Sequence, residues 1–116
     1  MSEPAPTWND DQPIYRQIAD IIVARVLDGT YPEGELMPSV RQVAGEFDVS
    51  PLTAAKVFQE LDKADLTVKR RGIGAEVREG ARKRLLRSER ERFLTREWPE
   101  IRTKLKRLGL ALTDLD

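Results

Sequence analysis

The hydrophobic pattern of residues 38–61 predicts two consecutive helices joined by a tight turn. The apolar positions of both helices follow the spacing i, i+3, i+4, i+7, which places them on one buried face. These positions are Val40, Val43, Ala44 and Phe47 in the first helix, and Ala54, Val57, Phe58 and Leu61 in the second. Asp48 and Val49 form the predicted turn. This arrangement, with a polar outer face on the second helix, is typical of a helix-turn-helix.

Both helices begin with capping signals. Ser39 precedes the first helix and Gln42 follows three residues later, which is the spacing of a capping box. Ser50 is the predicted N-cap of the second helix, and Pro51 takes its first position, where a missing N–H costs no hydrogen bond. The two predicted helix starts therefore rest on capping chemistry as well as on periodicity.

A longer helix is predicted before this unit, opened by Pro13 and ended by Gly29. Its apolar stripe consists of Ile14, Ile18, Ile21, Ile22 and Val26. Residues 30–35 are predicted to form a loop, because Pro32 and Gly34 interrupt the pattern. Residues 1–10 are predicted to be a flexible N-terminal arm, in which Trp8 docks on the core or on a partner subunit.

Two short β-forming runs, residues 66–69 and 75–78, flank the segment RRGIG at residues 70–74. This pattern predicts a β-hairpin with Val68 and Val77 pointing inward. The glycines allow close approach of the backbone to a ligand, and the arginines supply positive charge. A helix-turn-helix followed by such a hairpin is a winged helix, so the predicted fold class is mainly α with a small β-hairpin wing.

The end of the chain, residues 81–107, is predicted to be helical and highly charged, with a kink or a break near Trp98 because Pro99 follows it. An apolar seam with steps of 4, 3, 4 and 3 residues runs along it, as in a coiled coil. The seam and its flank comprise Phe93, Leu94, Trp98, Ile101, Leu105 and Leu108. It packs either on the preceding domain or on a second copy of the chain. We favour the second copy, since so small a domain leaves little surface to cover.

The predicted organisation is an N-terminal arm (1–10), a winged helix-turn-helix DNA-binding domain (11–80) and a helical dimerisation tail (81–116). Charge is distributed unevenly over these parts. Residues 1–80 carry 9 Lys and Arg against 14 Asp and Glu, a net charge of −5, whereas residues 81–116 carry 11 against 6, a net charge of +5. The candidate electrostatic footprint for DNA is residues 69–92, with 10 basic and 4 acidic residues.

The amino-acid composition argues against several classes of function. The 116-residue chain contains no histidine and no cysteine, which removes the commonest general base and all thiolate chemistry. Carboxylates are present, but no catalytic constellation emerges from them. We therefore expect a protein that is not an enzyme and has no cofactor and no metal. No apolar run approaches membrane-spanning length and no signal-peptide pattern is present, so we expect a cytoplasmic protein without a membrane partner.

These segments together resemble the GntR family of bacterial winged-helix transcription regulators. The resemblance is carried by PIYRQI at residues 13–18, MPSVRQVA at 37–44, VSP at 49–51 and RRGIG at 70–74, in this order and spacing. The short basic tail resembles that of the YtrA-type branch, which implies a small helical part that mediates dimerisation. The chain departs from the family pattern at Asp48 and Asp65, where glycine is usual, and at Ile73 and Glu76 in the wing.

The resemblance implies DNA contacts from the Pro-Ser-x-Arg segment, from the start of the second helix of the helix-turn-helix and from the wing tip. By position these are Ser39, Arg41, Ser50, Thr53, Lys56, Arg70, Arg71, Gly72 and Gly74, to which we add Leu52 as a candidate contact with a thymine methyl group. Six of them have an ordinary alternative: Thr53 could be only a helix-start residue, and Arg70 and Arg71 could be solubilising loop charges. Arg41 could pair with Glu46, Leu52 could fill a helix edge, and Lys56 could be a solvated surface lysine.

The sequence thus predicts a homodimeric, sequence-specific DNA-binding regulator, a repressor acting on a pseudo-palindromic operator. The alternative is a winged-helix module that binds protein rather than DNA through its acidic first 80 residues. About 36 residues follow the wing, too few for an enclosed pocket of the usual size, and nothing in them names a small-molecule effector.

Overall fold

The computed structural model describes residues 8–115 and divides them into two compact units, residues 8–82 and 83–115. The first unit contains α1 (Ile14–Leu27), α2 (Val40–Phe47), α3 (Pro51–Lys63), β1 (Thr67–Arg70) and β2 (Gly74–Val77). The chain continues with α4 (Ala81–Arg92), a π-helical turn (Phe93–Glu97), α5 (Trp98–Leu108) and a short 3-10 turn (Leu112–Leu115). The predicted fold class, mainly α with a two-stranded hairpin, is confirmed. Of the predicted N-terminal arm, residues 1–7 lie outside the described residues.

The core of the first unit forms where α1 and α2 pack against α3. The central positions of each predicted stripe are buried, namely Ile18, Ile22 and Val26 in α1, Val43, Ala44 and Phe47 in α2, and Ala54, Val57 and Leu61 in α3. Ile14 and Val40, the first residues of their helices, are 40% and 36% exposed. The periodicity was therefore right in phase, but it extended the stripes of α1 and α2 one turn too far toward the helix N-terminus, whereas the α3 stripe is buried from its first residue, Ala54.

Trp8 lies against this core, which is the first of the two positions predicted for it. The Trp8 and Phe47 ring centroids are 6.2 Å apart. The segment between Trp8 and α1 is held to that helix by Gln17. The side-chain amide of Gln17 donates hydrogen bonds to the carbonyl oxygens of Asn9 and Gln12, at 2.9 and 2.8 Å.

The hairpin forms as predicted, but its inward face differs from the prediction. β1 pairs with β2 so that Thr67 is opposite Val77 and Val68 is opposite Glu76. Opposed residues share a face and neighbours along a strand do not, so Val68 and Val77 cannot both point inward. Thr67 and Val77 are buried, whereas Val68 is half-buried on the other face. The prediction for Val68 was wrong. The pairing of the two strands decides which alternate residues of each strand face inward, and this pairing cannot be seen in the sequence of either strand alone.

A third segment, residues 34–37, borders the hairpin at the end of the predicted loop. Leu36 forms an antiparallel bridge with Glu76. The backbone N–H of Met37 donates to the carbonyl oxygen of Ala75, and that of Val77 donates to the carbonyl oxygen of Glu35. β2 is therefore held on both edges, by β1 and by residues 34–37. A single β-bridge produces no alternation of apolar and polar residues, so this segment could not be predicted from the sequence.

The second unit follows a helical path through Pro99. The N–H of Trp98 donates to the carbonyl oxygen of Phe93, which is the i to i+5 bond of a π-helical turn. Proline has no N–H for the usual bond to residue 95, and its ring crowds that carbonyl group, so the wider turn relieves both problems. The chain is thus helical without a break from Ala81 to Leu108, with a π-helical turn just before Pro99. The wider turn also places the Phe93 ring beside the Trp98 ring, with centroids 6.4 Å apart.

Burial of the α3 stripe predicts a large effect of truncation at its centre. Leu61 is 2% exposed, so Leu61→Ala removes buried methyl groups and leaves a cavity that costs about 2–5 kcal/mol of unfolding free energy. Urea unfolding at one fixed protein concentration measures the loss. Gln59→Ala is the matched control, because Gln59 is exposed on the same helix. Equal effects of the two substitutions would contradict the assigned packing of α3.

Candidate nucleic-acid interface

The start of α3 is fixed by the hydrogen bonds predicted from sequence. The Ser50 hydroxyl accepts the backbone N–H of Thr53 at 3.1 Å, with Pro51 at the first helical position. At α2, the Ser39 hydroxyl accepts the N–H of Gln42 while the Gln42 side chain accepts the N–H of Ser39, which completes the capping box. These caps fix where both helices begin.

The turn between the two helices is built on an unusual backbone conformation. Asp48 caps the end of α2 in the left-handed region with φ of 53°, and Asp65 after α3 has φ of 59°. Glycine adopts this region most easily, and Asp is among the few other residues that tolerate it. The two departures from the family's glycines therefore keep the backbone shape that glycine normally supplies.

One side of α3 is buried and the other faces solvent. Its exposed side includes Leu52, which is 75% exposed, and Lys56 in the first half of the helix, and Gln59 in the second half. Thr53 is half-buried, and its hydroxyl accepts a hydrogen bond from the Ser50 hydroxyl at 3.0 Å. Lys56 is exposed, and its ammonium group lies 5.4 Å from the centre of the Tyr15 ring on α1, within the range of a cation–π contact. The face thus combines an apolar tip with polar and cationic groups.

Arg41, near the start of α2, is exposed, and its side chain makes no hydrogen bond or ion pair within residues 8–115. The alternative partner predicted for it, Glu46, is occupied by Arg25 of α1, with Nη2 and Oε2 2.5 Å apart. That hydrogen bond raises the pKa of the Arg25 guanidinium, against the opposing effect of burial, so Arg25 remains a cation. The Arg25 guanidinium also lies 5.4 Å from the centre of the Phe47 ring. Arg41 is therefore available to an external anion.

The tip of the hairpin is a tight turn in which the N–H of Ile73 donates to the carbonyl oxygen of Arg70 at 3.0 Å. Gly72 has φ of 74°, in the region that favours glycine at the third position of such a turn. Arg71 projects from this turn, is exposed and has no ion pair among the described residues. Arg70 differs, because its Nη2 lies 2.7 Å from Oε2 of Glu76. Within the first unit the structure thus places a helix face, Arg41 and a basic hairpin tip on its surface.

The predicted seam of the second unit remains accessible in the single chain. Phe93, Leu94, Ile101 and Leu108 are 42%, 59%, 40% and 61% exposed. Trp98 and Leu105 are half-buried, Trp98 beside Phe93. Four of the six apolar side chains in this row are thus exposed.

Other kinds of site find no support among residues 8–115. They contain no group of three or more Asp or Glu side chains placed to hold a metal ion. None of the helices formed by these residues is long and apolar enough to cross a membrane.

Comparison with known proteins identifies the fold and the kind of protein. Residues 14–77, more than half of the chain, match the family described as bacterial regulatory proteins, gntR family. This chain belongs to the GntR family. It is 33% identical over 93% of its length to an uncharacterized HTH-type transcriptional regulator of Bacillus subtilis, YhcF, and covers 88% of that protein. The matching proteins are regulators rather than enzymes.

Two further comparisons place the chain within the family. It is 32% identical to the HTH-type transcriptional repressor YtrA of Bacillus subtilis, over 64% of this chain and 57% of YtrA. The structure of a GntR family transcriptional regulator from Listeria monocytogenes superposes with a TM-score of 0.71 at 25% identity, over 93% of each chain. The predicted winged helix-turn-helix and the resemblance to the YtrA-type branch are confirmed. By analogy with other winged helices, we call α3 the recognition helix and residues 67–77 the wing.

The N-cap of the recognition helix is expected to contribute measurably to stability. Ser50→Ala removes the acceptor for the Thr53 N–H and costs about 1 kcal/mol of unfolding free energy. Ser88→Ala is the matched control, because Ser88 is exposed inside α4 and caps no helix. Denaturant unfolding of the two variants should separate them; a loss for Ser88→Ala as large as that for Ser50→Ala would contradict the capping role.

Proposed function

We propose that this GntR-family protein is a cytoplasmic transcriptional repressor that binds a pseudo-palindromic DNA operator as a homodimer. The observation that carries the proposal is the exposed Arg41 near the start of α2, with its predicted internal partner Glu46 bound to Arg25. A solvated guanidinium at this position is suited to bidentate contact with guanine or with phosphate.

The recognition helix supplies the second part of the interface. We propose that it lies in the major groove with its N-terminal residues toward the bases, as in other helix-turn-helix proteins. Ser39, Ser50, Thr53 and Lys56 would contact phosphates or base edges, and Leu52, with its 75% exposure, would contact a thymine methyl group. Exposed apolar area of this size on a largely polar face supports the contact role over that of a helix-edge filler.

The wing supplies the third part. Its glycines, Gly72 and Gly74, let the backbone approach DNA, and Arg71 carries an unpaired charge at the tip within the described residues. We propose that the wing contacts the backbone or the minor groove beside the recognition helix. This local cluster of positive charge is what makes DNA binding compatible with a net acidic domain, because phosphate contacts depend on nearby charges.

Dimerisation is proposed through the apolar row of the second unit. Trp98, Ile101, Leu105 and Leu108 recur at steps of 3, 4 and 3 on α5, and a second copy would bury them. A two-fold symmetric dimer would place its recognition helices in successive major grooves about 34 Å apart. Repression would follow when the bound dimer blocks access of the polymerase to the promoter, as the name of the relative YtrA suggests.

The contact assigned to Arg41 predicts a loss of specific affinity. Arg41→Ala should reduce binding to a duplex selected by the protein from random DNA by about 1–3 kcal/mol, if Arg41 contacts a base. Arg102→Ala removes another exposed arginine, from α5, and serves as control. Fluorescence anisotropy of both variants at one salt concentration gives the comparison. An affinity for Arg41→Ala as high as for the control would remove Arg41 from the interface.

The seam predicts that one charge in it dissociates the dimer. Ile101→Glu places a carboxylate in the proposed interface, where burial without a partner is costly, and should yield a monomer with weakened binding to the two-half-site duplex. Arg102→Glu changes the adjacent residue outside the seam and should remain dimeric. Sedimentation velocity distinguishes the two states. A wild-type protein that is monomeric at micromolar concentration, or an Ile101→Glu variant that still dimerises, would refute the proposed seam.

A further inference from the structure

The wing holds an internal ion pair at the place where a phosphate is expected to bind. Oε2 of Glu76 accepts hydrogen bonds from Nη2 of Arg70 at 2.7 Å and from Nε of the same guanidinium at 3.3 Å. The carboxylate therefore takes the edge of the guanidinium that would otherwise be offered to a phosphate oxygen, since both anions bind arginine through the same N–H groups.

The strand register explains why these two side chains meet. Val68 is opposite Glu76 and Arg70 is opposite Gly74, so Arg70 and Glu76 lie on one face as diagonal neighbours. Gly74 has no side chain to separate them. The long arginine side chain can thus lie back along the strand and reach the carboxylate.

The two partners differ in how firmly they are held. Glu76 belongs to β2, which is bordered by β1 and by the Leu36 bridge, and its side chain is 24% exposed. Arg70 is the last residue of β1, next to the turn, and its side chain is 51% exposed. The carboxylate is the fixed member of the pair, and the guanidinium is the member able to change partners.

We propose that Glu76 competes with DNA phosphate for Arg70 and thereby lowers the affinity of the wing for DNA of any sequence. In the free protein Arg70 is neutralised, whereas Arg71, which has no ion pair among residues 8–115, retains its full charge. Binding a phosphate through Arg70 requires that the pair open and that a second anion approach Glu76. This inference rests on the proposed DNA-binding function and assigns to Glu76 an attenuating role within it.

Non-specific binding to DNA is governed by phosphate contacts, so this pair sets how strongly the protein is retained on unrelated sequence. A regulator whose wing is partly neutralised depends more on the recognition helix and on Arg41 for its affinity. Glu76 is thus a specificity-determining residue that need not touch DNA.

The test measures binding to a labelled random-sequence duplex of about 30 base pairs, long enough for two half-sites one turn apart. Glu76→Gln keeps the shape of the side chain and removes its charge. We expect affinity to rise about two- to fivefold, the range of an exposed ion pair, and the slope of log K against log salt to steepen by about 0.9 per subunit. Glu79→Gln removes a negative charge just beyond β2 and controls for net charge.

The gain must depend on Arg70. Arg70→Gln alone should lower affinity, because it removes a cation of the wing and leaves the Glu76 carboxylate unpaired. The double variant Arg70→Gln with Glu76→Gln should bind no more tightly than the wild-type protein. Weaker binding by Glu76→Gln would refute the competition and make Glu76 a positioning residue for Arg70. A gain that persists without Arg70, or that Glu79→Gln reproduces, would refute it in favour of net charge alone.

Failure of the underlying function gives a different result. A wild-type protein with no salt-sensitive binding to any duplex would refute DNA binding and this inference together. Wild-type binding with an unchanged Glu76→Gln variant would refute the inference alone. Circular dichroism spectra and melting of each variant establish that the wing is folded in every comparison.

Discussion

The burial of one stripe of the recognition helix is the constraint on which the rest of the first unit depends. Ala54, Val57 and Leu61 are enclosed where α1 and α2 pack against α3, and this fixes the rotation of α3 about its own axis. Once that rotation is fixed, Leu52 and Lys56 must face solvent. A helix has only one such orientation that buries its apolar residues, so core packing and the composition of the exposed face are determined together.

Sequence reasoning reached the helix-turn-helix because its determinants are local. Caps act within three residues, and a helical stripe repeats within one or two turns, so Ser39, Ser50 and the buried stripes could be predicted from neighbours along the chain. The misses depend on partners distant in sequence or on a change of helix type. Pairing with β2 places Val68 on the face opposite the buried Thr67 and Val77. The path through Pro99 depends on a π-helical turn, whose i to i+5 bond has no periodic signature in the sequence.

In the candidate site, too, some features could be predicted from the sequence and others could not. The residue types of the wing tip and of the recognition-helix start could be predicted, but their availability could not. Glu46 was a plausible partner for Arg41 at five residues' distance, yet it pairs with Arg25, which is 21 residues away. Glu76 was visible only as a departure from the family pattern, and its contact with Arg70 depends on strand register. Ion pairs between elements therefore decide which arginines can reach an external anion.

The two ion pairs have opposite consequences for a protein whose first 80 residues carry more acid than base. Arg25 and Glu46 neutralise each other between α1 and α2, which stabilises the scaffold and leaves Arg41 exposed. Arg70 and Glu76 neutralise each other within the wing, which removes charge from the surface proposed to face DNA. An acidic domain repels the duplex at long range, so its binding must rest on a few short-range contacts. When only a few cationic side chains are unpaired, the loss or gain of one changes a large fraction of the charge available to DNA. Discrimination between DNA sequences then depends on which of these side chains reach bases.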